Sequence, residues 1–165
     1  MKNEVNEMKV GIYLGNFDPI TLGHFDIIKR SAELVDKLVV GVIIAPAIPT
    51  EFTIDERVDM VKKVTKSISN VDVDPCIGIV EEFAREKEAN ILIRGLRMMT
   101  DFENELHIVQ TNYQLNKELD TIFLTTSEKY SNFSSKEVRQ IARQHGEVDQ
   151  FLPAEIVEDV KRLYR

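Results

Sequence analysis

The sequence predicts an α/β protein: a Rossmann-like, doubly wound sheet of five parallel strands with helices on both faces. Three observations predict it. From Lys9 onward, short apolar β-prone runs alternate with segments of helical periodicity. One run, Leu38–Ile44 (LVVGVII), is apolar without alternation, as expected for a strand covered on both faces. No repeat, low-complexity tract or linker interrupts the pattern in 165 residues. Residues 1–8 therefore read as an N-terminal extension and residues 9–165 as one domain.

The elements follow in order. Val10–Leu14 (VGIYL) is the first strand. His24–Leu34 has helical spacing through Phe25, Ile28 and Ala32. Leu38–Ile44 is the second strand. Ile54–Ser67 is an amphipathic helix, and Thr53 with Glu56 forms a capping box at its start. Val71–Asp74 is a short strand and Ile79–Glu88 a helix. Ile91–Ile93 is a fourth strand, ending at a turn through Arg94-Gly95. Asp101–Asn116 is a long helix whose apolar stripe runs through Phe102, Leu106, Val109 and Tyr113. Thr121–Leu124 is the fifth strand. Ser134–Gln144 is a helix with Gly146 at its C′ position. Pro153 opens a last helix where its missing N–H costs nothing.

Composition narrows the function. The net charge of −7 argues against a nucleic-acid binder, which needs a broad basic face. It allows a small anionic ligand, held by a few local cations and helix N-termini. No apolar run is long enough to span a bilayer, so no membrane role is expected. Met1–Met8 is polar, without the apolar stretch of a signal peptide, and a cytoplasmic place is expected. Cys76 is the only cysteine and reads as a semi-buried structural thiol at a strand end. His24, His107 and His145 lack cysteine partners at zinc spacing, so no protein-held metal is expected.

In doubly wound sheets ligands bind beyond the carboxyl ends of the strands, where strand order reverses. The segments following each strand are therefore the candidates. Gly15 to His24 (GNFDPITLGH) leads from the first strand into the first helix. It places His24 at or near a helix start, where N–H groups and the dipole favour an anion. It is neither a Walker loop nor GxGxxG. The plainer alternative is an exposed helical histidine after an Asp18-Pro19 turn. Arg94-Gly-Leu-Arg97 offers two arginines suited to phosphate; the plainer alternative makes both surface ion-pair partners of Asp101, Glu103 or Glu105. Phe133–Arg139 (FSSKEVR) holds a second capping box, Ser134 with Glu137. That box explains the serines structurally, or it aims a helix N-terminus and Lys136 at phosphates. Cys76 and Ser134 lack an assembled base, so no covalent nucleophile is expected.

Together, Tyr13–His24 (YLGNFDPITLGH), Phe52–Val58 (FTIDERV), Leu92–Glu105 (LIRGLRMMTDFENE) and Phe133–Arg139 resemble the phosphopantetheine adenylyltransferase family of the T/HxGH nucleotidyltransferases. The resemblance covers nearly all of Lys9 to Pro153. It implies transfer of AMP from ATP to 4′-phosphopantetheine, giving dephospho-coenzyme A and pyrophosphate, in coenzyme A biosynthesis. It also implies Mg²⁺ carried by ATP, coenzyme A as a further ligand, and a homohexamer. His24 takes the position of the transition-state stabiliser. The ATP-side positions are Asn16, Phe17, His24, Gly95, Leu96, Arg97, Glu105 and the segment Tyr130, Ser131, Asn132, Phe133, Ser134, Ser135, Lys136. The acceptor-side positions are Asn16, Ile48, Val80 and Arg94.

The chain departs from the family pattern at several points. Asn16 replaces a threonine, and Ala45–Thr50 lacks the lysine usual after the second strand. Asn104 replaces an aromatic residue and Lys136 a third serine. Two other readings stay open: a sister nucleotidyltransferase with another acceptor or with CTP, and a degenerate homologue that binds ATP or coenzyme A without turnover.

Overall fold

A computed structural model describes residues 7–165; of the extension expected over residues 1–8, residues 1–6 lie outside the described residues. The strands are β1 (Val10–Gly15), β2 (Lys37–Ile44), β3 (Val71–Ile77), β4 (Ile91–Leu96) and β5 (Asp120–Thr125). The helices are α1 (Leu22–Leu34), α2 (Ile54–Thr65), α3 (Val80–Glu86), α4 (Met99–Leu115), α5 (Ser135–Arg143) and α6 (Val157–Leu163). Short 3-10 turns occupy Glu128–Tyr130 and Ala154–Ile156.

All pairings are parallel and the strand order is β3-β2-β1-β4-β5. The chain winds outward from β1 to β3, then returns to place β4 on the other side of β1. Strand order thus reverses between β1 and β4, and a crevice opens there at their carboxyl ends.

Alternation along the strands builds a core on each face. Tyr13, Val40 and Ile93 face α1, α2, α5 and α6. Ile12, Leu14, Val39 and Leu92, with Cys76 of β3, face α3, where Phe83 and Ala84 fill the space. Ile12, Val40, Leu92 and Ile93 have no exposed surface. Side chains of this kind each contribute about 1.5–3 kcal/mol when buried. The α2 box is present: Glu56 N–H donates to Thr53 Oγ1 (3.3 Å) and Thr53 N–H to Glu56 Oε2 (2.8 Å).

Several boundaries differ from expectation for physical reasons. Pro75 and Cys76 lie inside β3 rather than after it. β3 is an edge strand, so a residue without an N–H is tolerated at the Val42↔Pro75 pairing. Cys76 is fully rather than partly buried. Arg94, Gly95 and Leu96 continue β4 instead of forming a turn, because β5 pairs with them to Thr125. The stripe of α4 is not a core stripe: Phe102, Leu106 and Tyr113 are exposed, and Asn112 is the helix's one buried residue. With its amide nitrogen assigned toward α3, Asn112 donates to Glu81 Oε1 (2.8 Å).

The end of α5 differs by one residue. His145, not Gly146, takes the left-handed C′ position, at φ 57°. His145 N–H donates to the Ala142 carbonyl and Gly146 N–H to that of Ile141, both at 2.9 Å, which completes a Schellman motif. Gly146 is required for closeness instead, since a Cβ there would lie 2.7 Å from the Ile141 side chain.

Candidate active site

The first wall of the crevice is the β1–α1 connection. Phe17 follows β1 at φ 46°, a strained value for a residue with a Cβ. Its ring tucks beneath Gly15, where an added Cβ would come within 3.0 Å of it. Phe17 is 1% exposed and sits edge-on to His24, with centroids 5.1 Å apart.

His24 occupies the third position of α1 and completes a capping box in the role that glutamate plays in α2. The Thr21 N–H donates to His24 Nδ1 (3.1 Å), and the His24 N–H donates to Thr21 Oγ1 (3.4 Å). An Nδ1 that accepts from a backbone N–H carries no proton, so the neutral ring keeps its proton on Nε2. Burial, helped by the charge of Arg97, lowers the pKa of His24 to about 4. At neutral pH the side chain is therefore an uncharged donor at a helix N-terminus.

This has a measurable consequence. An unfolded chain holds a histidine proton up to about pH 6.5. Between about pH 4 and that value, the unfolded state binds more protons at this site. Stability from His24 is complete above the window and is lost as pH falls through it. We expect the ¹⁵N resonances of the His24 imidazole to titrate near pH 4. A midpoint near 6.5 would contradict the arrangement.

The second wall is the end of β4. Strand alternation sends Gly95 and Arg97 to the α1 face and Arg94 and Leu96 to the opposite one. Gly95 lies against Ile27 and the Tyr13 hydroxyl. Arg94 grips Glu105 of α4 with two parallel bonds, Nε–Oε2 at 2.5 Å and Nη2–Oε1 at 2.7 Å. Arg97 is only loosely held, with Nε 3.8 Å from Asp101, and its side chain is 45% exposed. The Asp101 carboxylate is occupied by the Arg97 and Met98 backbone N–H groups (3.0 and 3.1 Å).

The third wall is the start of α5. Ser134 caps it with Glu137, as expected. Ser135 Oγ donates to the Pro19 carbonyl (2.7 Å), and Arg139 pairs with the Asp18 carboxylate (3.3 Å). Asp18 is buried and also accepts from the Glu51 and Phe52 N–H groups (2.9 Å each). One carboxylate thus ties together the β1–α1 loop, the β2–α2 loop and α5, which far exceeds the role of a turn residue.

These walls enclose a cleft of about 370 Å³. Of the expected residues, Asn16, His24, Gly95, Arg97, Tyr130, Phe133, Ser134, Ser135 and Lys136 line it. Tyr13, Thr21, Gly23, Ile27, Thr126 and Arg139 line it as well; Thr21, Gly23 and Arg139 fall within the candidate segments Gly15–His24 and Phe133–Arg139 and Thr126 follows β5, whereas Tyr13 and Ile27 are not singled out by the sequence. Tyr13 and Ile27 are hidden because they read as core residues of a strand and a helix.

The other expected residues stand outside the lining. Phe17 lies behind His24, and Leu96 faces away with Arg94. Glu105 is taken by Arg94, so for this arginine the ion-pair reading describes the structure. Ser131 Oγ is turned to the Glu128 carbonyl (2.8 Å), and Asn132 borders a separate shallow groove. Ile48 stands half exposed on the loop after β2, and Val80 packs on the core beneath α3.

Comparison with known proteins gives a consistent picture. A family model described as cytidylyltransferase-like matches residues 12–141. A protein of Lachnoclostridium phytofermentans named phosphopantetheine adenylyltransferase is 47% identical over 157 residues, 95% of this chain and 96% of that protein. One of the same name from Clostridium botulinum is 43% identical over 155 residues, 94% of each chain. Among solved structures, a protein described as a nicotinate-nucleotide adenylyltransferase from Vibrio parahaemolyticus superposes with a TM-score of 0.70 at 15% identity, over 96% of each chain. That last likeness speaks for the fold alone.

Proposed function

Because the chain belongs to the phosphopantetheine adenylyltransferase family, within the cytidylyltransferase-like proteins, we propose that its cleft transfers the adenylyl group of ATP to 4′-phosphopantetheine. The products are dephospho-coenzyme A and pyrophosphate, a step of coenzyme A biosynthesis. One observation supports this reading above the others. A neutral His24, with its proton on the outward nitrogen, lines the same cleft as Arg97 and the start of α5.

In the proposed reaction an oxygen of the acceptor phosphate attacks the α-phosphorus in line. The bond from that phosphorus to the β-bridging oxygen breaks, and pyrophosphate leaves with the electron pair. Such transfers depend on positioning and charge stabilisation rather than covalent help. His24 Nε2–H donates to an α-phosphate oxygen as charge builds there. It gives up no proton, since its imidazole is neutral throughout. Arg97, Lys136 and the free N–H groups at the start of α5 hold the β- and γ-phosphates. Asn16 borders both substrates, Tyr130 to Phe133 form the nucleoside side, and Ile48, Val80 and Arg94 the acceptor side.

Mg²⁺ bound across the phosphates would neutralise part of their charge. Among the described residues no three His, Cys, Asp or Glu side chains converge as a metal cage. We assign the ion to ATP, as is usual for Mg²⁺ at phosphates. Coenzyme A carries the same two ends as the product and is proposed to occupy the same cleft. We also propose a homohexamer; the exposed apolar surface of α4, through Phe102, Leu106 and Tyr113, supports contact with another copy. No helix of the described residues is long and apolar enough to cross a membrane, and we assign the reaction to the cytoplasm.

The loop after β2 sets a further expectation. Isoleucine at position 48 cannot donate to a phosphate, and the Ala45–Thr50 loop carries no lysine or arginine. A charge-assisted hydrogen bond is worth about 1.5–3 kcal/mol. Ile48→Lys should therefore lower the acceptor KM by roughly ten- to a hundredfold, leaving the KM for ATP nearly unchanged. Asn16→Thr should act more weakly, because the Asn16 amide can already donate. Steady-state kinetics of each variant tests this, and an acceptor KM that fails to fall would contradict it. The function itself is tested by acceptor choice. Pyrophosphate release should depend on 4′-phosphopantetheine and not on nicotinate mononucleotide, and on ATP rather than CTP. The reverse preference would assign the chain a different substrate.

A further inference from the structure

Arg57 lies on α2, outside the cleft lining, yet it is 4% exposed and carries a charge. It makes no ion pair within 4 Å among the described residues. Its Nη1 donates to the Asn16 carbonyl (2.6 Å) and to the Ile43 carbonyl (3.0 Å). Its Nε is buried without a partner. Burial pushes its pKa down, opposed by the nearby Asp18 carboxylate.

The two carbonyls have a defined place in the sheet. The β1–β2 register ends at Gly15↔Val42. One step further, Asn16 would face Ile43. There the ladder stops, because Phe17 turns the chain away at φ 46°. Arg57 thus bridges the first pair beyond the ladder, where the two strands would otherwise part. Beyond Asn16 runs the loop to His24, and beyond Ile43 runs the loop that bears Ile48.

Stability alone is a poor reason for this guanidinium. A buried charge with only carbonyl partners carries a large desolvation cost, and an apolar side chain of similar length often does as well or better. Precise spacing of two carbonyls is a better reason, since a rigid planar fork can fix both at once.

We propose that Arg57 is a positioning residue that straps the end of β1 to the end of β2 and so sets the separation of the two loops that receive the substrates. The strap acts through Asn16 and the Ala45–Thr50 loop. Which substrate feels its loss rests on the adenylyl-transfer reading above; the strap itself does not.

The test uses the full chain with Arg57→Lys, which keeps the charge but not the fork, and Arg57→Met, which keeps the length without the charge. Hydrogen exchange should quicken together over residues 15–17 and 43–50 in both variants, while α2 stays protected. The acceptor KM should rise roughly tenfold or more, the scale of one lost charge-assisted bond, with a smaller rise in the KM for ATP through Asn16. Two outcomes would overturn the strap. One is unchanged exchange in both segments. The other is exchange raised uniformly over the whole chain with kinetic constants of the folded fraction unaltered, which would make Arg57 merely structural. A parent protein without turnover would overturn the reaction assigned to the cleft, and the exchange measurement would still decide the strap.

Discussion

His24→Ala is expected to lower kcat by roughly 10²–10³-fold, the usual cost of removing one transition-state donor. The same substitution breaks the Thr21 capping box and leaves the Thr21 N–H without its Nδ1 partner. A loss of about 1 kcal/mol in stability should accompany it. The two effects can be separated. Glutamate at this position completes a capping box, as Glu56 does for Thr53. His24→Glu should therefore regain stability without regaining turnover, because a carboxylate cannot donate to the α-phosphate and repels it. Measured kcat and Tm for the two variants decide the matter. Full turnover in either folded variant would remove His24 from the chemistry.

The next largest effects concern the arginines of β4. Arg97→Ala should weaken ATP by roughly ten- to a hundredfold, as expected for a lost charge-assisted bond. Stability should hardly change, since Arg97 is well exposed and its contact with Asp101 is long. Arg94→Ala should behave differently. Glu105, 17% exposed, would lose both of its bonds to Arg94. We expect a stability loss of about 1–3 kcal/mol and weaker acceptor binding, with ATP less affected. Calorimetric titration of each variant with each ligand checks this. Equal loss of both ligands in both variants would abolish the distinction.

The difference between these arginines shows what was legible in the sequence. The two-residue periodicity of a strand separates positions 94 and 97 onto opposite faces, but only if the strand runs past Ile93. Its continuation depends on pairing with β5 out to Leu96↔Thr125, a long-range fact. The same holds for β3, where Pro75 reads as a stop signal and is tolerated because the strand lies at the edge. Elements fixed by local patterns were readable: the unbroken apolar run of β2, and the capping boxes at Thr53 and Ser134.

The stripe on α4 has correct helical spacing, yet spacing cannot say whether this chain or another covers it. In the cleft, His24, Arg97 and the α5 start stood out because polar residues following strands are conspicuous. Tyr13 and Arg57 did not. Tyr13 hides in an apolar run. Arg57 reads as an ordinary surface charge on an amphipathic helix until its two carbonyl partners are known.

The proposed reaction moves an intact adenylyl group onto a phosphate. The most direct measurement is the identity and ratio of products formed from ATP, Mg²⁺ and 4′-phosphopantetheine, read by mass spectrometry alongside pyrophosphate release. The geometry of His24, Arg97 and the α5 start predicts dephospho-coenzyme A and pyrophosphate in equal amounts, with neither formed when the acceptor is omitted. Release of ADP and orthophosphate instead, or tight ATP binding with no adenylylated product, would contradict it.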